Sequence, residues 1–360
     1  MSSLTLVKSM RRRRGIEPDK LVVGYAFMAK KMESMEKIIE ISSKMQDKIV
    51  YKPLDLSKEL HEQGNFDIIL HKLSEDIMNR HSVHSSENKI ALIERYLSKQ
   101  KSCICLDPFQ NVNVVINRIS TLEVLENCFR KYGEGMPRPP KYIVVYAFEK
   151  VDDIKKRVRE SSMRYPLICK PLKACGTQGS HNMLVVLDEA SLEAVSVPIV
   201  IQEYYNHNET LFKVSVVGEV VQVKVRTSLP NLPDNLHGSL TFDSQKPYPT
   251  VEDFGAKGQS AQPSFPNPSL PYLYIRKAAH YLREAFSLTL FGFDLIVSCD
   301  TNEVFIIDVN YFPSFRDFVA FPGALNKVLY EISGASERQE EVKISSEASS
   351  SISLSLKGCV

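Results

Sequence analysis

The chain has 360 residues, 45 basic and 43 acidic side chains, a net charge of +2 and 43% hydrophobic content. That is ordinary globular composition with room for two or three packed units, and it confines any basic surface to a local, acid-compensated patch. No apolar run of about 18 residues marks a membrane span, Met1 to Met10 lacks a secretory leader's apolar stretch, and seven scattered cysteines point to a reducing compartment.

Residues 1–18 carry Arg11-Arg12-Arg13-Arg14, read as a solvated disordered tail, with a nuclear-import or polyanion-binding arm as the alternative. A strand follows at Leu21 to Phe27, then a helix over 33–46, a strand near Ile49 to Tyr51 and another at Phe66 to His71. Ile90, Ile93 and Leu97 mark a helix, and Ser102 to Leu106 a strand in which Cys103 and Cys105 read as packing residues. Alternating strands and helices predict a small parallel α/β domain. Asp107-Pro108 breaks that unit, and a helix is expected from Thr121 to Lys131, capped through Ser120-Thr121 with Glu123. Gly133 to Pro140 reads as a linker.

A second unit is predicted from strands at Tyr142 to Tyr146, Leu167 to Lys170, Asn182 to Leu187 and Ile199 to Tyr204, with a helix over 151–161. Hairpin strands follow at Leu211 to Val217 and Val220 to Val225. The polar, Pro-rich stretch Leu229 to Leu270 is expected to be a functional loop, a lid or a disordered insertion. A helix over 272–286, an acidic hairpin and a helix over 323–333 complete the ordered chain, and a disordered tail is expected from Ala335.

The acidic hairpin carries the strongest chemical signal. Phe291 to Val297 contains Asp294, and Val304 to Asn310 contains Asp308 and Asn310. A turn centred near Asp300 would pair Asp294 with Ile306 and Gly292 with Asp308, placing all three polar groups on one face. Clustered carboxylates in apolar strands repel unless a cation lies between them, and magnesium suits hard oxygen ligands. Surface polar residues of an ordinary hairpin are the alternative. In Lys170 to His181 a lysine ends a strand and a Gly/Ser loop follows, an oxyanion cradle or a plain hairpin loop; His181 alone reads as structural. The strand edge beside Gln202 and Glu203 could serve an adenine and a ribose, and Lys213, Lys224 and Arg226 place cations on the next hairpin. A metal-holding acidic cluster facing a cationic wall is what phosphoryl transfer asks for.

Together these segments resemble the ATP-grasp fold, and specifically the inositol-tetrakisphosphate 1-kinase family, also called inositol 1,3,4-trisphosphate 5/6-kinases. The blocks are Val23-Gly24-Tyr25 with Lys30-Lys31, Gln63 to Leu73, Leu106-Asp107-Pro108, Lys170-Pro171-Leu172, Gly176-Thr177 with Ser180-His181, Asn206-His207-Asn208 with Leu211 to Val214, Val217-Gly218-Glu219, Ser228 to Asn231, Asp294, and Ile307 to Pro313. They extend over about residues 20–333, and the Lys-Pro-Leu and Asn-Tyr-Phe-Pro forms look like the plant branch.

The resemblance implies an α/β (α+β) ATP-grasp architecture. Its parts would be a basic tail (1–18), an N-terminal α/β inositol-phosphate-binding domain (19–118), and a catalytic region (119–334) with central (119–209) and C-terminal (210–334) halves holding ATP between them. A disordered tail, 335–360, would follow. Asp294, Asp308 and Asn310 would hold Mg2+; Arg118, Lys170, Gln202, Glu203, Lys213, Ser228 and Ser244 would bind ATP. Lys31, Lys72, His181, Lys213, Asn310 and Ser314 would meet the inositol polyphosphate, and Lys213, Arg226 and Asp308 would act in catalysis. Two departures stand out: Ser314 where the family usually has Gly, and Cys175 where plant relatives usually have Asp.

The implied activity is transfer of the ATP γ-phosphoryl group to a hydroxyl of a soluble inositol polyphosphate, in phytate biosynthesis, by a cytoplasmic monomer with nuclear entry left open and no nucleic-acid or membrane partner. No general base is evident, and a loose transition state does not require one. Alternatives are a hexakisphosphate kinase making pyrophosphates, a non-catalytic inositol-phosphate sensor and an ATP-grasp carboxylate ligase; the cationic residues Lys31, His181 and Arg226 argue against the ligase.

Overall fold

The computed structural model describes residues 20–45, 48–80, 89–173, 179–256, 270–315 and 318–334. Arg11 to Arg14, the Cys175-Gly176-Thr177 loop and the tail from 335 lie outside the described residues.

The N-terminal unit is a parallel sheet of four strands in the order β2-β1-β3-β4. These are β1 (Leu21–Phe27), β2 (Ile49–Pro53), β3 (Ile68–Lys72) and β4 (Ile104–Leu106), flanked by α1 (Ala29–Met45), α2 (Ser74–Met78) and α3 (Lys89–Lys99). Every residue of β1 is buried, as a parallel strand covered on both faces requires. Burial raises both the Cys103 and Cys105 thiols to about 12, so these side chains act as apolar filling.

Helices α4 (Phe109–Ile116) and α5 (Arg118–Tyr132) lead out of this unit. Asp107-Pro108, expected only as a break, instead starts α4, because Pro108 sits at its N-cap, where its missing N–H costs nothing. Helix α5 starts three residues earlier than expected. Its cap is Asn117, whose side chain accepts from the N–H groups of Ile119 (3.0 Å) and Ser120 (3.3 Å). The expected cap residue Thr121 lies inside the helix and donates back to the Asn117 carbonyl at 3.0 Å.

The central sheet is antiparallel, in the order β11-β7-β6-β8-β5. It contains β5 (Tyr142–Val145), β6 (Leu167–Pro171), β7 (Asn182–Val186), β8 (Ile199–Glu203) and β11 (Ser239–Asp243), with α6 (Val151–Glu160) beside it. Strand β11 lies within the stretch expected to be loop, lid or insertion. Its Leu240 and Phe242 pack with Val185, Leu187, Leu232 and Phe254, a small core that orders this polar segment.

The third sheet is antiparallel in the order β10-β9-β12-β13, formed by β9 (Thr210–Val217), β10 (Val220–Thr227), β12 (Leu290–Val297) and β13 (Val304–Tyr311). Helices α7 (Leu270–Phe286) and α8 (Phe321–Ser333) cover it.

One continuous apolar core joins the parallel sheet to this third sheet. At their junction Asp107, with φ +59°, buries its carboxylate against the N–H groups that lead into β12, Thr289 at 2.6 Å and Leu290, its first residue, at 2.9 Å. His71 donates from Nε2 to the Asp107 carbonyl (2.8 Å), and the Tyr311 hydroxyl donates to the His71 carbonyl (2.7 Å). Burial lowers the His71 imidazole to about 4, with the Asp107 hydrogen bond opposing, and raises Asp107 to about 6, with the β12 N–H groups opposing.

A group depressed on folding stabilises above its unfolded value and loses that contribution as pH falls toward its folded one; for His71 that window runs from 6.5 down to about 4. The raised Asp107 works in the opposite sense between about 6 and 3.8, so a comparison with a His71 variant isolates the imidazole. Urea unfolding at pH 7 and pH 5 should show His71→Gln losing about 2 kcal/mol less on acidification than the wild type. Equal losses would mean that His71 is not a buried neutral group.

Candidate active site

Cross-strand registry collects the charged groups. On one face of the third sheet, Lys224, Lys213, Asp294 and Asp308 form a row across β10, β9, β12 and β13; Ser215, Gly292 and Asn310 form the neighbouring row, and Arg226 stands opposite Leu211. The hairpin register differs from the expected one: Asp294 pairs with Asp308 and Gly292 with Asn310. The turn lies half a residue later than expected, and a bulge after Asp294 gives β13 one extra residue. The two offsets add to a shift of two, which preserves parity, so the three polar groups share a face as predicted.

The extra residue also serves the site. Ile307 has no cross-strand partner in the β12 ladder, and its carbonyl accepts the Lys170 ammonium at 2.9 Å. Lys170 is the penultimate residue of β6 in the central sheet and is buried; burial lowers its ammonium to about 8, while Asp308 and Asp294 favour its charge and Arg118 opposes it. Lys213 Nζ stands 3.5 Å from Asp294 Oδ1. Burial pushes the Asp294 carboxyl above the ordinary carboxylate range; Lys213 pulls it down and Asp308 pushes it further up. Asn310 donates from Nδ2 to Asp308 Oδ2 at 2.8 Å.

Among the described residues no group of three or more His, Cys, Asp and Glu side chains could hold a metal. The donor set is therefore two carboxylates and one amide. That sparse, all-oxygen set does not suit zinc or a full calcium cage, but it fits magnesium, which takes few protein ligands and completes its shell with water and phosphate.

The other predicted residues fall into separate clusters. Arg118 fastens the end of β6, its Nη1 donating to the Pro171 and Lys173 carbonyls at 2.6 and 3.2 Å. Gln202 is buried on β8, on the face it shares with Lys170. Glu203 falls on the opposite face, where its carboxylate accepts from the Tyr205 hydroxyl (2.5 Å) and the Arg164 N–H (3.0 Å). Ser228 meets His207 Nε2 through its hydroxyl at 2.9 Å and lines a cavity of about 510 Å³ with Glu209, Thr227 and the segment Lys246 to Glu252. Ser244 donates its N–H to the His181 carbonyl (2.9 Å), so these two residues sit together at the end of β7 and β11. Lys31, Lys72 and Ser314 converge on one small pocket with Met35, Pro313 and Phe315. Lys72 also donates to the carbonyl of buried Phe312, whose φ of +42° is unusual for a bulky residue.

Two features escaped the sequence reading. Tyr248 feels both Asp294 and Asp308, which add to burial in raising its phenol, yet it sits in a Pro-rich stretch without periodicity. The joint between β8 and β9 is laced by Asn231, whose Oδ1 accepts the N–H groups of His207 (3.0 Å) and Asn208 (2.8 Å) and whose Nδ2 donates to Asn208 Oδ1 (2.8 Å). Asn208 and Glu209 there are successive left-handed residues, at φ +50° and +52°; the Asn-His-Asn sequence was the available signal, since Asn tolerates that conformation.

Gly292 links the acid face to the Lys31 pocket. A Cβ there would meet the Val214 carbonyl at 2.6 Å and Pro313 at 3.0 Å, so β9 and the loop after Asn310 both need glycine. Gly292→Ala should destabilise by about 1–3 kcal/mol in urea unfolding, through overpacking against backbone. A stability within 0.5 kcal/mol of the wild type, taken as about the ordinary surface-substitution scatter, would show that the strand yields freely.

Comparison with known proteins shows the family. The family model "Inositol 1,3,4-trisphosphate 5/6-kinase ATP-grasp domain" matches residues 135–331, and the corresponding pre-ATP-grasp domain matches residues 22–112. Inositol-tetrakisphosphate 1-kinase 2 of Glycine max is 33% identical over 315 residues, covering 86% of this chain and 94% of that protein. Inositol-tetrakisphosphate 1-kinase 4 of the same plant is 34% identical over 299 residues, covering 81% and 82%. The crystal structure of D-cycloserine synthetase DcsG superimposes with a TM-score of 0.56 at 12% identity, over 87% of this chain and 99% of that one, and supports the ATP-grasp fold alone. The chain belongs to the inositol 1,3,4-trisphosphate 5/6-kinase family.

Proposed function

We propose that the protein is a magnesium-dependent kinase that transfers the γ-phosphoryl group of ATP to a hydroxyl of a soluble inositol polyphosphate, with inositol 1,3,4-trisphosphate and inositol 3,4,5,6-tetrakisphosphate as acceptors. The observation that carries this reading is the single sheet face on which Asp294, Asp308 and Asn310 adjoin Lys213 and Arg226, with Lys170 facing them and the Lys31–Lys72–Ser314 pocket at the end of the same strand pair. Members of this family are named for inositol phosphate substrates, and ring phosphates, each bearing nearly two charges, need such cations.

In this reading Asp294, Asp308 and Asn310 hold magnesium, which supplies charge neutralisation between ATP phosphates when bound. Asn310 keeps Asp308 oriented through its amide hydrogen bond and leaves its own carbonyl oxygen for the ion or the acceptor. Lys170 stays predominantly protonated at neutral pH, because its lowered value of about 8 still lies above 7. It therefore offers a fixed charge from the central sheet, while Lys213 offers one from β9. Gln202 and the backbone after Glu203 line the nucleotide side, with Arg118 bracing the end of β6 and Ser228 and Ser244 on its border. Lys31, Lys72, His181 and Ser314 position the acceptor, and Arg226 and Lys213 neutralise charge as the phosphoryl group moves. Little bond chemistry is left for the protein, and positioning with electrostatics supplies the rate.

We place the division of the chain at 19–118 for acceptor binding and 119–334 for catalysis, and read it as a plant-branch, monomeric, cytoplasmic enzyme of phytate biosynthesis. Among the described residues no helix is long and apolar enough to cross a membrane. Nuclear entry would rest on Arg11 to Arg14.

ATP turnover with magnesium should yield a product with one added ring phosphate from the tris- or tetrakisphosphate. Asp308→Asn should lower that turnover by about a hundredfold or more while thermal unfolding stays near wild type. Full activity of the variant would sink the metal assignment. Turnover only with inositol hexakisphosphate would make the enzyme a pyrophosphate synthase, and ATP binding without turnover on any acceptor would favour a sensor.

A further inference from the structure

Beyond the candidate active site, the turn between β9 and β10 and the adjacent face of α7 enclose a second cavity. It measures about 330 Å³ and is lined by Gly218, Glu219, Val221, Ala279 and three cationic or protonatable side chains, Arg276, His280 and Arg283. The spacing i, i+4, i+7 puts those three on one stripe of the helix. Seven residues of helix span about 10 Å, so the two guanidinium groups can engage charges at both ends of one small molecule.

The walls are fixed. Gly218 holds the turn at φ +57°, and a Cβ there would stand 2.7 Å from Val328 of α8, so the turn packs closely on the helix layer and has no room for a side chain. Its one carboxylate, Glu219, is paired with Arg283. The Glu219 side chain is 69% exposed, however, and an ion pair with so exposed a partner is weak, so an incoming polyanion can displace it. His280 lies 3.4 Å from Glu284 across one helical turn, at the cavity's edge. Arg276 forms no ion pair among the described residues, and nothing in the fold of the sheet requires a cation there.

We infer that this cavity is a second binding site, for a small molecule carrying two or more phosphate groups. Guanidinium forks match phosphate oxygens in pairs, and the stripe offers two of them with an imidazole between, facing Glu219 in the lining and Glu284 at the edge. A ligand with a single charge could not bridge the stripe. The site is separate from the acid face. Gly218 follows Lys213 by five residues along an extended strand, a separation of about 16 Å. It does touch the same hairpin, because β9 and β10 carry Lys213 and Arg226 away from this turn.

Isothermal titration with inorganic pyrophosphate tests the assignment on the full chain in magnesium-free, low-salt buffer. The wild type should bind pyrophosphate at a site that survives Lys213→Ala and weakens by about tenfold or more in Arg276→Ala/His280→Ala. Both altered side chains are exposed, and thermal unfolding checks that the double variant is folded; Arg276→Gln/His280→Gln provides a second, bulk-preserving form. Binding unchanged in both double variants would overturn the site. Orthophosphate binding there as tightly as pyrophosphate would overturn the two-phosphate assignment. Loss of all pyrophosphate binding in Lys213→Ala would place the only anion site on the acid face and refute the proposal.

Discussion

The placement of the site depends on how the start of β12 is held. Asp107 sits at the end of the parallel sheet and accepts both N–H groups that lead into β12. Strand β12 then carries Gly292 and Asp294, so one buried carboxylate sets the N-terminal unit against the acid face. His71 braces Asp107 from β3 within the N-terminal unit, and the Tyr311 hydroxyl at the end of β13 adds one more hydrogen bond across the junction, to the His71 carbonyl. A charged acceptor with two N–H donors is stronger than a neutral one, and in a buried setting its loss leaves the Thr289 and Leu290 N–H groups unsatisfied. The Lys31–Lys72–Ser314 pocket exists because this junction brings α1 and β3 to the loop that follows Asn310.

Around the acids, no single charge is stable alone. Asp294 and Asp308 stand opposite each other on neighbouring strands, a pairing that costs free energy for two like charges. Lys213 reaches one from β9, and Lys170 approaches from another sheet, held by the bulged Ile307 carbonyl. The central sheet thus contributes a cation to a cluster whose anions belong to the third sheet. Movement of one sheet against the other would change the charge balance at this cluster, where the proposed phosphoryl transfer requires it to be fixed. The laced Asn206-to-Glu209 joint, with two left-handed residues and the Asn231 clasp, limits that movement where the chain passes between the sheets.

Much of this was legible in the sequence. β1 was predicted residue for residue, because a fully buried parallel strand is an unbroken apolar run. The shared face of Asp294, Asp308 and Asn310 followed from alternation alone and survived a wrong register, since the two offsets sum to an even number. Local composition could not report the bulge, whose unpaired Ile307 carbonyl accepts Lys170 from another sheet. Nor could it find β11, whose five residues become a strand by docking on β7 and the Leu232–Phe254 core. Alternation also puts Glu203 on the face opposite Gln202, where its carboxylate is used by Tyr205 and Arg164. The cap of α5 was missed because Asn117 precedes an arginine rather than an apolar run.

The contact that orders the molecule is also one of its longest in sequence. Asp107 and its partner Thr289 are separated by 182 positions. At a translation rate of about 5–20 residues per second, the parallel sheet leaves the ribosome roughly 10–40 s before β12 can reach it. Through that interval the Asp107 carboxylate remains hydrated, and a hydrated charge resists being covered by apolar chain arriving from the wrong segment. Only a strand end that presents two free N–H groups repays its dehydration. The nascent chain thus carries, at the edge of its first folded unit, a local test for the correct partner strand.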